Sequence, residues 1–580
     1  MEPLQIKSRT MKNLLSIVCF LFVLCDVVQA ETELRLPHIF GDRMVIQRDK
    51  PVHVWGWAGK NSEVTVSFAG QEKSATAVVD GKWSVTLDAM KANAKGQVLT
   101  VKAGESTLAL TDVLIGDVWV CGGQSNMEMR LRNSRDADVE IPCARYPGIR
   151  FIRIKPEGVA VPRDDFPVEV GVKNGAGVWQ ACTPETVGDC FGIAYFFAQR
   201  LHRRLGVPIG LVNAAWGGTM AQHWVTRETL ETLPSAKSYL DDFDQKCREW
   251  NDAGGEDGAA KRFAADLSKW EALVAAAEDK GEKPPRKPNE KSYANPAQGR
   301  IPAGAMNAMI MPLSSLSIRG ALFYQGENNS FGDSWIPFQE TFPAVIADWR
   351  RIFQDNQLPF GIIQIAGWST RRTMTYDMNH HTNVVREVQF NTWRATPGTG
   401  LIVSFDANSN DSIHPARKYP VGERSARWAL STVYGITDAV RKTPLQWHGP
   451  IYESMENAGD KIVVRFEKLG SEGLRLDRAD ARGFYIAGTD RIFHHALARV
   501  VGGRDRPGVE VWCDQVPDPV AVRYASSNLP LGTLMNGKEL PAFPFRTDTW
   551  PLKPHYGEKE YRVAPRNKEG VDGENGDSKR

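Results

Sequence analysis

Ser125 lies in CGGQSNMEMR, residues 121–130, behind two glycines and a glutamine at the end of an apolar run. A serine hydroxyl becomes a competent nucleophile only with a base in contact, an orienter for that base and donors for the oxyanion. Each has a candidate elsewhere in the chain. DANSNDSIHPARKYP supplies Asp411 and His414 in D-x-x-H spacing. On one short loop, Asp411 can accept the Nδ1 hydrogen of His414 and leave Nε2 facing a hydroxyl as general base. AAWGGTMAQHW supplies Gly217 and Gly218, whose N–H groups can face an oxyanion with no side chain in the way. FYQGENNS supplies Gln325, Glu327, Asn328 and Asn329. Amide side chains in that group can also donate to an oxyanion. Gln124, Asn126 and Glu327 are candidates for shaping the site or binding substrate.

Each segment has a plainer reading. Ser125 can be a helix N-cap, and the others can be turn residues. GQSNM also does not match the G-x-S-x-G nucleophile elbow. Taken together, the four segments follow apolar strands and supply every part of an acyl-transfer site. The pairs His380–His381 and His494–His495 lack so compact a carboxylate partner and are read as surface or packing residues.

These segments need a scaffold that gathers strand ends. DVLIGDVWVC, VPIGLVNAAWGG, GALFYQGENN, LPFGIIQIAGW and GTGLIVSFDA are nearly all-apolar runs. They alternate with helical patterns such as FGIAYFFAQRLHRRLG. That alternation predicts an α/β unit with a parallel sheet covered on both faces, over residues 113–440. Its functional loops belong at the carboxyl ends of the strands. Residues 226–300 interrupt the pattern with a charged, alanine-rich helical insertion and a mobile Pro/Lys tract. Before it, 31–112 reads as short alternating strands, a small antiparallel β-sandwich. After it, 441–555 reads as a second β-rich domain, and 556–580 as a disordered polar tail.

The chain has 580 residues, 42% hydrophobic and 24% charged, an ordinary globular composition. Residues 1–30 have a basic start, an apolar stretch and a small residue at Ala30, the pattern of a secretory signal peptide. Its apolar run is short for spanning a bilayer, so the mature chain is expected to be secreted or periplasmic without a membrane span. Beyond residue 30, basic and acidic side chains nearly balance and no long run has a single sign. That argues against nucleic acid as a partner. Cys121, Cys143, Cys182, Cys190, Cys247 and Cys513 show no zinc-site spacing, so no metal and no cofactor are predicted. Cys182 and Cys190 are close enough in sequence to pair. The sequons at Asn328 and Asn410 fall on the candidate site and are read as chance matches.

IGDVWVCGGQSNMEM, with AAWGGT, FYQGENN and DSIHP, resembles the sialate O-acetylesterase family of carbohydrate esterases. DRMVIQRDKPVHVWGWA resembles that family's leading β-domain, and LPAFPFRTDTW its C-terminal end. The resemblance implies a flavodoxin-like three-layer SGNH hydrolase core with an N-terminal β-sandwich and a C-terminal β-rich domain. It implies Ser125 as nucleophile, His414 as base and Asp411 as orienter. The implied oxyanion donors are the Ser125 N–H, Gly217 or Gly218, and one side chain among Gln325, Asn328 and Asn329. The implied substrate is an acetylated carbohydrate. An acetylxylan or other plant-polysaccharide deacetylase is the alternative on the same scaffold. A non-catalytic glycan-binding protein is the alternative outside enzymes.

Overall fold

The computed structural model of the chain describes residues 33–367, 378, 380–407, 412–476, 483–503 and 505–552. The N-terminal strands are β1 (Val45–Gln47), β2 (Val52–Trp57), β3 (Glu63–Phe68), β4 (Gln71–Thr76), β5 (Lys82–Leu87) and β6 (Asn93–Ala103). The next strand, β7 (Ser106–Gly123), changes character along its length. Its first half alternates and is largely exposed beside β6, while residues 113–123 are buried throughout. One strand therefore runs through residue 112, where the composition changes, and carries the chain into the central sheet.

Then follow α1 (Ser125–Glu128), α2 (Ala137–Cys143), β8 (Tyr146–Arg153), β9 (Gln180–Cys182), α3 (Gly192–Leu205) and β10 (Ile209–Ala215). The excursion after β10 contains α4 (Arg227–Thr232), α5 (Pro234–Asp252) and α6 (Gly255–Asp279). The chain returns through β11 (Gly320–Tyr324), α7 (Trp335–Ile352), β12 (Phe360–Ile363), α8 (His381–Ala395), β13 (Thr399–Ile402) and α9 (Tyr419–Thr432). The central sheet has the order β13-β12-β11-β7-β10-β8-β9. Every neighbouring pair along it is parallel except β8–β9.

The apolar runs are continuous because both faces of this sheet are covered. Register pairs Trp119 with Gly320 and Gly122 with Phe323, so Trp119 and Phe323 point to opposite faces. Trp119 packs edge-on against Phe197 of α3 and Trp428 of α9. Phe323 packs against Phe342 and Trp349 of α7.

The insertion is a helical hairpin with its tract laid back along it. Trp270 Nε1 donates to the Pro285 carbonyl at 2.8 Å, and the Tyr293 hydroxyl to Asp266 at 2.7 Å. The expected mobile tail is thus a packed return path that ends at Arg300, beside the site. Beyond α9, four strands (Tyr452–Asn457, Lys461–Phe466, Gly508–Trp512 and Leu497–Val501) form one antiparallel sheet. Arg546 and Glu387 join a later strand to α8 at 2.8 Å.

Candidate active site

Register brings the site together. Gly123 at the end of β7 pairs with Ala215 at the end of β10 and with Tyr324 at the end of β11. The loops that follow, at 124–125, 216–218 and 325–329, therefore leave one edge of the sheet side by side. Two backbone bonds fasten them: the Gln124 N–H donates to the Tyr324 carbonyl and the Trp216 N–H to the Gly123 carbonyl, both at 2.9 Å. Gly123 must be glycine. Its φ is +120°, and a Cβ there would lie 2.2 Å from the Tyr324 carbonyl oxygen.

Ser125 is the first residue of α1, and Gln124 occupies the cap position. The N-cap reading of Ser125 is therefore set aside. Its Oγ lies 2.7 Å from His414 Nε2. His414 sits on the loop between β13 and α9. β13 is three strands from β7, so this loop crosses back over the strand ends to reach Ser125. The Ser412 hydroxyl accepts the His414 N–H at 3.0 Å and steadies the loop. Burial, and then the charge of Lys418, hold the imidazole below the ordinary histidine range. Asp411 and Asn410 lie outside the described residues.

The oxyanion candidates separate by how their hydrogens are used. Gln325 is fully buried, and its amide donates to Gln124 Oε1 at 2.6 Å and to the Thr219 carbonyl at 2.7 Å. The Asn329 amide is also buried and donates to Gln222 and to the Ser334 carbonyl. Neither has a hydrogen left for substrate. Asn328 is more open, and among the described residues its Nδ2 gives one bond, to the Gly218 carbonyl at 3.0 Å. The N–H groups of Ser125 and Gly218 have no protein acceptor among the described residues. The Gly217 N–H does: Glu128 Oε2 accepts it at 2.6 Å. A Cβ on Gly217 would lie 3.2 Å from the Ser125 Cβ, so this carboxylate stands next to Ser125. Burial raises the Glu128 pKa, against the lowering effects of the Gly217 bond and Arg130, Arg300 and Arg153.

Gln124, Asn126 and Glu327 are all buried and shape the site from below. Gln124 Oε1 accepts from Gln325 Nε2, Gly326 N and Asn328 N, at 2.6, 3.2 and 3.3 Å. Glu327, pushed up to about 7 by burial, accepts from Asn126 Nδ2 at 2.5 Å. On the rim, Arg300 lies over the Trp216 ring at 5.0 Å and donates from Nε to the Gly217 carbonyl at 2.8 Å. Its two η nitrogens have no partner among the described residues.

Sequence reading missed Glu128, Arg300 and Lys418. Lys418 stood four residues after His414 in HPARKYP, but nothing in that spacing shows burial. His223 is spent internally: Nδ1 accepts from the Met220 N–H and Nε2 meets the Tyr239 hydroxyl, both at 3.0 Å. His380 caps α8, and buried His381 meets the Ser330 carbonyl at 3.2 Å. Cys182 and Cys190 are buried free thiols. Burial drives the Cys190 pKa to about 12. Among the described residues, no group of three or more His, Cys, Asp or Glu side chains is placed to hold a metal, and no helix is long and apolar enough to cross a membrane.

A histidine-bonded serine at the carboxyl edge of an α/β sheet is compatible with ester hydrolysis, and the relatives this chain resembles make it a carboxylic-ester hydrolase. No protein-family model matches the chain. The sialate O-acetylesterase of Rattus norvegicus is 27% identical over 483 residues, covering 77% of this chain and 80% of its own. That of Homo sapiens is 25% identical over 491 residues, covering 78% and 80%. The crystal structure of a carbohydrate acetylesterase from Xanthomonas citri is 30% identical, with a TM-score of 0.70. That match covers 89% of this chain and all of that one. The chain belongs to the sialate O-acetylesterase family of carbohydrate esterases.

Proposed function

We propose that this protein is a carbohydrate O-acetylesterase, most directly a sialate O-acetylesterase, that works through Ser125, His414 and Asp411. The observation that carries the reading is the 2.7 Å contact between Ser125 Oγ and His414 Nε2. A neutral imidazole is the competent base, and the burial that lowers the His414 pKa favours it. Ser125 attacks the acetyl carbonyl as His414 takes its proton. The Ser125 N–H, the Gly218 N–H and the Asn328 amide supply the oxyanion donors. Asp411 holds the Nδ1 hydrogen. The sugar hydroxyl leaves with the proton from His414, and an acetyl-enzyme remains. His414 then activates a water that releases acetate.

The strand order β10-β7-β11-β12-β13 supports a flavodoxin-like core of the SGNH type, because it follows the 2-1-3-4-5 pattern once the extra parallel strand β8, outside β10, is set apart. The curated relatives named sialate O-acetylesterase support the sialate reading over acetylxylan. The first 30 residues support export of the mature enzyme to the periplasm or beyond. The decisive test is acetate release from an aryl acetate by wild type and Ser125→Ala. Loss of activity in the variant is expected, and a variant that keeps most of it refutes the nucleophile assignment. Acetate release from O-acetylated sialic acid, measured beside acetylated xylan, identifies the sugar.

A further inference from the structure

Directly beneath Ser125 lies a buried polar cluster that the acyl-transfer chemistry leaves unused. Lys418 is 2% exposed, Asn126 0% and Glu327 2%. Lys418 Nζ donates to Asn126 Oδ1 at 2.7 Å. Asn126 Nδ2 donates to Glu327 Oε1 at 2.5 Å and to the Ile413 carbonyl at 3.0 Å. The orientation of the amide is chemically forced. The Ile413 carbonyl can only accept, so Nδ2 must face it, and Oδ1 must then face Lys418, which donates whether or not it is protonated. All three bonds are therefore committed, and the amide cannot turn without breaking them.

The cluster's place in the chain is what gives it a consequence. Asn126 follows the nucleophile, and Ile413 precedes the histidine. One side chain thus ties the turn after β7 to the loop after β13, segments that are 287 residues apart. Burial pushes Lys418 down to about 7 and Glu327 up to about 7, so holding the pair charged costs several kcal/mol of desolvation that apolar residues in the same space would not. Packing alone does not account for them.

We propose that Lys418 is a positioning residue for ester hydrolysis, holding the Asn126 amide so that it clamps the His414 loop onto the Ser125 turn. This inference rests on the reading of Ser125 and His414 as nucleophile and base. Lys418 has a second effect through charge. The titratable groups facing it are Tyr324 at the end of β11, whose ring lies 5.9 Å from Nζ, Glu327 on the loop that follows, and His414 on its own loop. Its positive charge opposes protonation of the imidazole. Removing it raises the His414 pKa, and the acid limb of activity moves to higher pH.

The test compares Lys418→Met, Glu327→Gln and the double variant in the full chain, with 4-nitrophenyl acetate as substrate over a pH series. Lys418→Met is expected to lower kcat about 10- to 100-fold, as a lost near-attack geometry does, with the acid limb displaced upward. KM for this small neutral ester should stay within about threefold of wild type. The double variant removes both charges, so its thermal midpoint should recover relative to Lys418→Met while kcat stays low. If Lys418→Met fails to fold, the double variant carries the same kinetic readout. A folded variant lacking Lys418 with kcat within about threefold of wild type and an unmoved acid limb overturns the proposal. Recovery of wild-type kcat in the double variant also overturns it, because buried charge would then be the whole effect. Ser125→Ala is run alongside. Activity retained there defeats the parent reading, whereas an inactive Ser125→Ala beside a fully active Lys418→Met defeats only this one.

Discussion

Replacing Gln124 with alanine should damage both the strength and the working geometry of the 325–329 loop. Gln124 Oε1 is a buried acceptor for three donors. Two are backbone N–H groups at 3.2 and 3.3 Å, long enough to count near the low end of a hydrogen bond. The third, Gln325 Nε2 at 2.6 Å, keeps its second bond to the Thr219 carbonyl. Stranding a buried donor costs about 1–3 kcal/mol. With two weak bonds and one strong one, the local loss comes to roughly 3–4 kcal/mol before relaxation. Hydrogen exchange read by mass spectrometry on peptides covering Gly326 and Asn328 measures this locally, without assuming one unfolding transition for the whole chain. Protection there should fall by about two to three orders of magnitude, with peptides of β12 and α3 little changed. Because the Asn328 N–H loses its anchor, kcat should fall by about 10-fold or more. Gln124→Glu keeps an acceptor at the same position and should retain more protection than alanine. Unchanged exchange at Gly326 and Asn328 in Gln124→Ala would refute the reasoning, since the three bonds would then hold nothing.

The His414 pKa lies below the ordinary histidine value, and in the proposed mechanism the neutral ring is the base. A pH profile of kcat/KM should therefore hold its plateau down past pH of about 6.5 and lose activity only below it. His223 is buried with a pKa lowered to about 3. The unfolded chain takes up a proton there below pH of about 6.5 while the folded protein does not, so stability should fall as pH drops through that window. A urea series in His223→Gln should show a flatter dependence than wild type. Arg300 offers two η nitrogens with no partner among the described residues, beside Trp216 on the rim of the site. If O-acetylated sialic acid is the substrate, Arg300→Gln should raise its KM about 10- to 100-fold through loss of a charge-assisted bond, with little change for a neutral aryl acetate.

The parts of this protein that repeat or alternate could be read directly. Apolar runs in β7, β10, β11, β12 and β13 announced a sheet buried on both faces, because only such a sheet needs every side chain apolar. Gly122 and Gly123 announced a tight exit from β7, and a Cβ on either would strike Trp349 or the Tyr324 carbonyl. The D-x-x-H spacing put His414 on a loop that does reach Ser125. Amide chemistry was less legible. Gln325, Asn328 and Asn329 have similar side chains within five residues, and only their burial and partners separate them. The role of Gln124 depends on three donors some 200 residues away.

Residue types and their order along the chain thus determined which groups were available: a serine after glycines, a histidine with a nearby carboxylate, and strands whose ends face one way. Tertiary structure decided which groups meet and which are already spent. Register aligned Gly123, Ala215 and Tyr324, the β13–α9 loop carried His414 back across the sheet, and folding buried Lys418 and Glu327 on either side of Asn126. The physical reason is that hydrophobic period and turn chemistry are local properties. Desolvation, hydrogen-bond partnership and charge proximity depend on neighbours that only the folded chain supplies.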